Sequence, residues 1–473
     1  MRDYSRQAIF DQEKLSSAKI MIIGAGALTN YLCLYLSGLG IKNTTVIDDS
    51  QYKSEPNEFL LKNFEGGKVK GLEKKIKDIN QEIKFTGISN PLLDFLIGQP
   101  DVLIDLTNSP ESKNKCKEIS KKIYSIKKVI SASSSENNGS LRVYTPQGGN
   151  TLILKKDPSK VLFLEKDDFS LNNYKGLYQG SFTSGLIAAI TLDEIRKTVM
   201  PLENEHPLMK KADFSLYSEN RFNSGLKFDE KKEDLSKLNA LVVGAGGIGT
   251  YVCLNLALMG VGNVDLYDGD VVENHNLNRQ VFYYDKVGFK KADVLAERLN
   301  KLTSANITAH TSYLKDVSQL KKKYDLIFSC LDNWQYRFML SDYAVRKRIP
   351  FINGSVTTFN AYADINNCLM CKHNSETLLE REKDLEQRAG SCSNVANSNV
   401  VMANAFIGAL MASETKALAF PYKYKPLLKK QFSYNSQSVD SLKFNIRDPV
   451  LSCLCHKKNK GCECHENRTV LPK

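Results

Sequence analysis

At 473 residues and 53.1 kDa the chain is long enough to bury a large core and to hold two domains or more. Its 42% hydrophobic and 25% charged residues exclude a disordered chain. The net charge of +12 comes from lysines dispersed through stretches such as KVKGLEKKIKDINQEIK, which read as solvated helix faces; no aromatic-interleaved basic stripe accompanies them, and no nucleic-acid partner is expected.

In chain order, MRDYSRQAIF has no apolar segment of the kind a secretory signal needs. Next come a strand, a glycine turn and a helix, AKIMIIGAGALTNYLCLYLSGLG, then TTVIDD ending in acids and an NEFLL loop. GGKVKG, DVLIDLTNSPESK and SGLIAAITLDEIRK follow. Near residues 200–215, VMPLENEHPLMKKAD has proline, mixed charge and no periodicity, which predicts a division into domains 1–205 and 206–473.

The chain then repeats itself. YSENRF at 217–222 answers YSRQ at 4–7, and NALVVGAGGIG, VDLYDGD and NLNRQ answer the first strand, turn, second strand and loop. Gly24 to Asp48 and Gly244 to Asp268 are equally spaced. VGFKKA, DLIFSCLDNWQYR and IGALMASETKAL extend the match, so the chain is an internal duplication. Strands alternating with helices at this spacing predict an α/β fold of two tandem Rossmann-like domains with mostly parallel sheets. Residues 239–264 are apolar enough to imitate a membrane span, but the glycine turn and the acids ending the next strand make a buried strand and helix, and no membrane partner is expected.

The second copy holds the candidate chemistry. Gly244, Gly246 and Gly249, with Gly247 between, give the GxGxxG spacing that brings backbone amides to phosphate at a helix N-terminus. Asp268 and Asp270 close the next strand, where an acid holds a ribose hydroxyl. Arg279 and Lys291 are two cations, and Asp332, in the LDN turn after a strand, suits Mg2+. The set suits attack by a carboxylate on the α-phosphate of ATP, where two anions must be neutralised by fixed cations and a metal. In the first copy Thr29 replaces the third glycine, Leu60 of the NEFLL loop stands where Arg279 of NLNRQ stands, and Asn108 replaces Asp332, which predicts a non-catalytic half. A glycine turn alone would also allow a nicotinamide oxidoreductase, and a non-enzymatic scaffold is the remaining alternative.

With GAGGIG, DGD, NLNRQ, GFKKA and LDN in this order, the second half resembles the adenylation domain shared by ubiquitin-activating enzymes and the bacterial adenylyltransferases of molybdopterin and thiamine synthesis, the ThiF–MoeB–HesA group. The first half resembles the inactive adenylation half of the ubiquitin-activating enzymes. The resemblance implies that GAGGIG and Asp268 hold ATP, that Asn276, Arg279 and Lys291 contact its phosphates, and that Asp332 binds Mg2+. It also implies that Arg6, in the YSRQ motif, reaches the ATP site of the second half, the two halves forming an intramolecular pseudo-dimer.

Most of the eleven cysteines lie in the last third, which suits a reducing cytoplasm and metal or catalytic thiols better than a secreted disulfide framework. The resembling families carry one CxxC after the strand AYADI and another near the C-terminus, together a tetrahedral Zn2+ site. Cys368 and Cys371 match the first pair; Cys453 and Cys455 are the candidates for the second, with Cys462, Cys464, His456 or His465 as substitutes. Cys392 lies in a polar loop before a long apolar helix, with Arg388 near, a setting that lowers a thiol pKa. The resemblance assigns this loop the cysteine that accepts an acyl group from the adenylate.

The expected function is therefore ATP-dependent adenylation of a ubiquitin-like protein at a C-terminal glycine, thioester formation on Cys392 and transfer to a conjugating enzyme. The alternative is an adenylyltransferase for a sulfur-carrier protein. After the last helix about 50 residues remain, too few for a ubiquitin-fold domain plus a zinc tail.

Overall fold

The structure, a computed structural model, describes residues 2–90, 99–146, 179–203, 211–222, 233–365, 399–427, 430–435 and 443–447, with positions 205, 227, 368, 369 and 380 between them. Short apolar runs such as KIMII and VLID are buried along almost their whole length, so their strands need cover on both faces, as parallel strands have.

The first sheet contains β1 (Lys19–Ile23), β2 (Asn43–Ile47), β3 (Lys84–Ile88), β4 (Val102–Asp105), β5 (Lys128–Ser134), β6 (Asn138–Tyr144) and β7 (Lys211–Ser215), in the order β3-β2-β1-β4-β5-β6-β7. The second contains β8 (Asn239–Val243), β9 (Asn263–Tyr267), β10 (Asn306–His310), β11 (Leu326–Ser329), β12 (Phe351–Val356), β13 (Asn360–Ile365), β14 (Lys430–Asn435) and β15 (Lys443–Arg447), in the order β10-β9-β8-β11-β12-β13-β14-β15. In each, five parallel strands are extended by antiparallel ones. The duplicated α/β architecture read from the repeats is thus present.

The strand β7 pairs with β6, from Asn138↔Ser215 to Arg142↔Lys211. The first sheet therefore continues past residue 205, where the sequence reading divided the chain. The proline- and charge-rich stretch leads from a helix to an edge strand of the same sheet, so its composition marks a connection within the first half.

Nine α-helices are described: α1 (Gln12–Ser17), α2 (Ala27–Leu39), α3 (Lys68–Ile79), α4 (Pro110–Ser120), α5 (Ser181–Val199), α6 (Gly247–Met259), α7 (Lys291–Leu302), α8 (Trp334–Lys347) and α9 (Val401–Ala419). The halves meet through α5 and α9, which pack along each other with α2 and α6 at their flanks. Both are buried nearly all round, as helices apolar on every side must be. One hydrophobic cluster runs through both halves, and among the described residues no helix is long and apolar enough to cross a membrane. Polar ties lock the contact: Tyr31 Oη donates to Asn255 Oδ1 at 2.9 Å, Tyr434 Oη to Asp193 Oδ2 at 2.8 Å, and Lys416 pairs with Glu136 at 2.8 Å. Tyr35 meets Tyr251 edge-on, ring centroids 5.4 Å apart.

Strand order reverses between β1 and β4 and again between β8 and β11, so each sheet opens a crevice at the carboxyl ends of those strands. Each crevice holds a cavity.

Candidate active site

The cavity of the second half has a volume of about 610 Å3 and lies over the turn between β8 and α6. Gly244 makes that turn with φ +101, and a Cβ there would stand 2.6 Å from the Cys330 carbonyl oxygen, so only glycine fits on both counts. Gly246 and Gly247 face the cavity at the N-terminus of α6, where first-turn backbone amides have no partner within the helix. Gly249 does not line it: a Cβ there would overlap the Gly244 carbonyl oxygen, so the third glycine serves the packing of helix on strand. In the first half Thr29 fills the matching position, its hydroxyl donating to the Gly24 carbonyl at 2.7 Å.

Asp268, at the end of β9, is buried and braces the turn, Oδ2 accepting from the Ala245 amide at 2.6 Å and Oδ1 from the Asp270 amide at 2.8 Å. Burial raises its pKa above the usual carboxylate range. Burial pushes Asp270 in the same direction, but hydrogen bonds from Tyr313 and Lys291 outweigh it and hold that carboxyl low. Lys291 opens α7, only 6% exposed, with its ammonium 2.9 Å from Asp270 Oδ2.

Arg279 is the most unusual group. It is 8% exposed, and its Nη1 donates to the His275 carbonyl and to Asn278 Oδ1, each at 2.9 Å. Its Nε has no partner, and among the described residues it makes no ion pair. Burial, then the charge of nearby Arg6, pushes its pKa down to about 10. A buried cation beside a second cation is costly unless an anion completes it.

Arg6 lies in the short turn Ser5–Gln7 and lines the same cavity, although it belongs to the first half. Its carbonyl accepts from the Asn399 amide at 2.8 Å. Beside it, Gln7 Oε1 accepts from Asn278 Nδ2 at 3.2 Å, and Asn278 in turn holds Arg279. The N-terminal segment thus supports the arginine turn of the other half. Asn276 Oδ1 accepts from the Glu273 amide at 3.0 Å, capping the turn Asn274–Asn276. Asp332 is exposed on the cavity wall, just before the helix cap Asn333.

Ten of the eleven expected nucleotide-site residues line this one cavity: Arg6, Gly244, Gly246, Gly247, Asp268, Asp270, Asn276, Arg279, Lys291 and Asp332. Cys368 follows β13, whereas Cys371, Cys392, Cys453 and Cys455 lie outside the described residues. Among the described residues no three His, Cys, Asp or Glu side chains gather to hold a metal. Cys330, the cysteine of the cavity wall, is pushed up to about 12 by burial and stays a thiol.

Sequence reasoning did not single out Arg337, Gln280 and Asn404, which also line the cavity. Gln280 Oε1 and Asn404 Oδ1 are buried without a partner, so the cavity offers polar groups awaiting a ligand. Arg337 was within reach of the repeat comparison, since it stands opposite Lys113. The comparison also mispaired Leu60 with Arg279: Leu60 lies buried in the turn Phe59–Leu61, which sits before α3 as Val281–Tyr283 sits before α7. From acid to helix, Asp48 to Lys68 spans 20 positions and Asp268 to Lys291 spans 23, so the first half has a shortened loop where the arginine turn would be.

These features define a duplicated, doubly wound α/β protein with a glycine-turn cavity at each switch point, one of them lined by buried, unneutralised arginine. The chain belongs to the ThiF family, whose model matches residues 4–223 and again 217–464. It is 37% identical over 130 residues to the adenylyltransferase and sulfurtransferase MOCS3-2 of Zea mays, a match covering 27% of each chain. It is 26% identical over 250 residues to the probable molybdopterin-synthase adenylyltransferase of Porphyra purpurea, covering 50% of this chain and 61% of that one. The matched stretch is thus less than two thirds of either relative. The crystal structure of E. coli MccB with ATP is 24% identical, with a TM-score of 0.39 over 46% of this chain and 67% of that one.

Proposed function

We propose that the chain is an ATP-dependent adenylyltransferase acting on the C-terminal carboxylate of a small carrier protein. The observation that carries this reading is Arg279, buried and without an acid partner among the described residues, beside Arg6 at the glycine turn. A cavity built this way suits a polyphosphate, and its orphaned Gln280 and Asn404 oxygens suit a bound nucleotide.

In the proposed reaction a carboxylate oxygen attacks the α-phosphorus, and the bond from that phosphorus to the bridging oxygen of the β-phosphate breaks. Pyrophosphate leaves and an acyl-adenylate remains. Arg6, Arg279 and Lys291 would neutralise the phosphate oxygens, the amides at Gly246 and Gly247 would cradle them, and Asp268 would hold the ribose. Asn276 would contact phosphate through its amide nitrogen, since its oxygen caps its own turn. Asp332, exposed and solvated, suits a Mg2+ ion that keeps its waters and shares the phosphates, where it would supply charge neutralisation.

The name of the Zea mays relative, which pairs adenylyl with sulfur transfer, favours a sulfur-carrier substrate over a protein modifier. The adenylate would then pass to a sulfur nucleophile, AMP leaving and a thiocarboxylate forming. A second reading, the activation of a ubiquitin-like protein, draws on the fusion of a full and a reduced copy in one chain. In it Cys392 would attack the adenylate, release AMP and hand its thioester to a conjugating enzyme; Cys330 is unsuited to this because burial keeps it protonated. Both readings retain Zn2+ on Cys368, Cys371, Cys453 and Cys455, the two-half pseudo-dimer and a cytoplasmic setting, and we place the division between the halves after Phe222.

Incubation with ATP, Mg2+ and candidate carriers ending in glycine, read by intact-mass spectrometry, tests the reading. AMP-linked carrier supports the adenylation that both readings share, and carrier thiocarboxylated once a sulfide donor is added supports the first branch. A thiol-sensitive adduct of the enzyme that disappears in Cys392→Ala supports the second, and no carrier-dependent product with any candidate overturns both.

A further inference from the structure

The first half keeps a cavity of about 530 Å3 at its own switch point, a size that small ligands occupy. Its floor is the same glycine turn, and Asp48 stands at the end of β2 as Asp268 stands at the end of β9. Asp48 Oδ2 accepts from the Ala25 amide at 2.8 Å and Oδ1 from the Ser50 amide at 2.7 Å, the counterpart of the bracing by Asp268.

Two differences decide what could enter. The N-terminus of α2 is already occupied: Gln179 Oε1 accepts from the Leu28 amide at 3.4 Å, and a Cβ on Gly26 would lie 2.5 Å from that oxygen. At Gly246 of the second half the nearest atom is 3.9 Å from such a Cβ, and it is a nitrogen of Gln280; Asn404 Oδ1 stands over Gly247, but unlike Gln179 Oε1 it accepts no hydrogen bond from the helix amides. Charge points the same way. Here Lys68 alone faces Asp48, Glu55 and Glu58, whereas the other cavity sets Arg6, Arg279, Lys291 and Arg337 against Asp268, Asp270, Glu273 and Asp332. A triphosphate would meet a carbonyl oxygen where it needs amides, and three carboxylates with a single cation.

The cavity is nonetheless fitted for a ligand. Glu58 is 4% exposed and lines it; Oε1 pairs with Lys68 at 2.6 Å, while the buried Oε2 has no partner. An unpaired buried acceptor is unfavourable by more than a made hydrogen bond returns, so it calls for a donor such as a hydroxyl or an amino group.

We propose that the first-half cavity is a second ligand site, selective for a nucleoside without phosphate, with Asp48 at the ribose hydroxyls and the free oxygen of Glu58 accepting from a donor on the ligand. The site is independent of adenylation in the other half.

Equilibrium dialysis of adenosine against the full chain, with and without excess ATP, tests it. One adenosine per chain is expected to stay bound in excess ATP. Glu58→Gln, which keeps the side-chain volume, is expected to weaken that binding about tenfold; because it also breaks the ion pair with Lys68 and lowers the melting temperature, the dialysis is run well below the melt of the variant. Gln179→Ala is expected to free the amides of α2 and to tighten AMP binding about tenfold over the unmodified chain. If the second half binds no ATP, the ATP arm stays flat while both variant arms still report on this site. Failure of adenosine, guanosine, cytidine and uridine all to bind at millimolar concentration would overturn the proposal. So would binding that neither variant alters.

Discussion

The two cavities share a turn, an acid at the second strand and a lysine opening the next helix, yet they present opposite surfaces. Among the described residues Arg279 of the second half has no acid partner, and Arg6 and Arg337 line the same cavity. In the first, each counterpart is gone or internally satisfied. The loop that would carry the arginine is shorter, and Lys68 is paired with Glu58. Lys113, opposite Arg337, is wholly buried against Asp105 at 3.3 Å, its pKa lowered by burial, and Ser329 stands where Asp105 stands. Lys291 is paired with Asp270 much as Lys68 is with Glu58, so what separates the two sites is the shortened loop that would carry the arginine.

The largest expected effect sharpens this comparison in the packed helices. Glu414 on α9 is held by Arg221 at 2.6 and 2.9 Å and by the Leu427 amide at 3.0 Å. Glu194, its counterpart on α5, has neither oxygen hydrogen-bonded, and burial pushes it up to about 8. Glu414→Gln should destabilise the fold by about 3–5 kcal/mol, since it leaves Arg221 buried and unpaired. Glu194→Gln should do the reverse. The folded state holds the Glu194 proton more tightly than the unfolded chain, whose value lies near 4.5, so stability falls as pH rises from there through about 8. Urea melts at pH 6 and pH 9 should show that fall in the unmodified chain and a smaller one in Glu194→Gln.

At the cavities, Arg279→Ala should cut pyrophosphate exchange by about 10²–10³-fold, as loss of a charge-stabilising donor does. Asn108→Ala, opposite Asp332, should leave exchange unchanged; an equal loss in both would break the assignment of one working half. Exchanging the turn residues is next. Gly249→Thr should cost about 1–3 kcal/mol and weaken ATP binding, because the new side chain overlaps the Gly244 carbonyl. Thr29→Gly should cost about 1–2 kcal/mol through the lost hydrogen bond to Gly24 and the added helix glycine, without touching ATP binding. Thermal melts and ATP titrations separate the two. The smallest effect is Gln7→Ala, about 1 kcal/mol, seen as a several-fold loss of exchange because Asn278 loses a partner and Arg279 its brace.

What could be read from sequence was local. The glycines, Asp268, Lys291 and Asp332 declare themselves by spacing because strand, turn and helix have fixed lengths, and the duplication doubled the signal. Arg6 was legible only through resemblance, since nothing near it in sequence points across to the other half. Pairings over long separations were not legible: Arg221 with Glu414, Gln7 with Asn278, Gln179 over α2. Nor was the end of the first sheet, because the edge strand β7 is short and follows a polar connection. Gly249 was read as a phosphate glycine, but fold and packing give it a different duty.

The central claim is that one cavity works and that the other half completes it through Arg6. Pyrophosphate exchange by the full chain carrying Arg6→Ala, with a carrier that supports exchange in the unmodified chain, tests this most directly. Exchange should fall about 10²-fold or more with the melting temperature unchanged, since Arg6 is half-buried at the cavity rim and not part of a core. Exchange at the rate of the unmodified chain would contradict it.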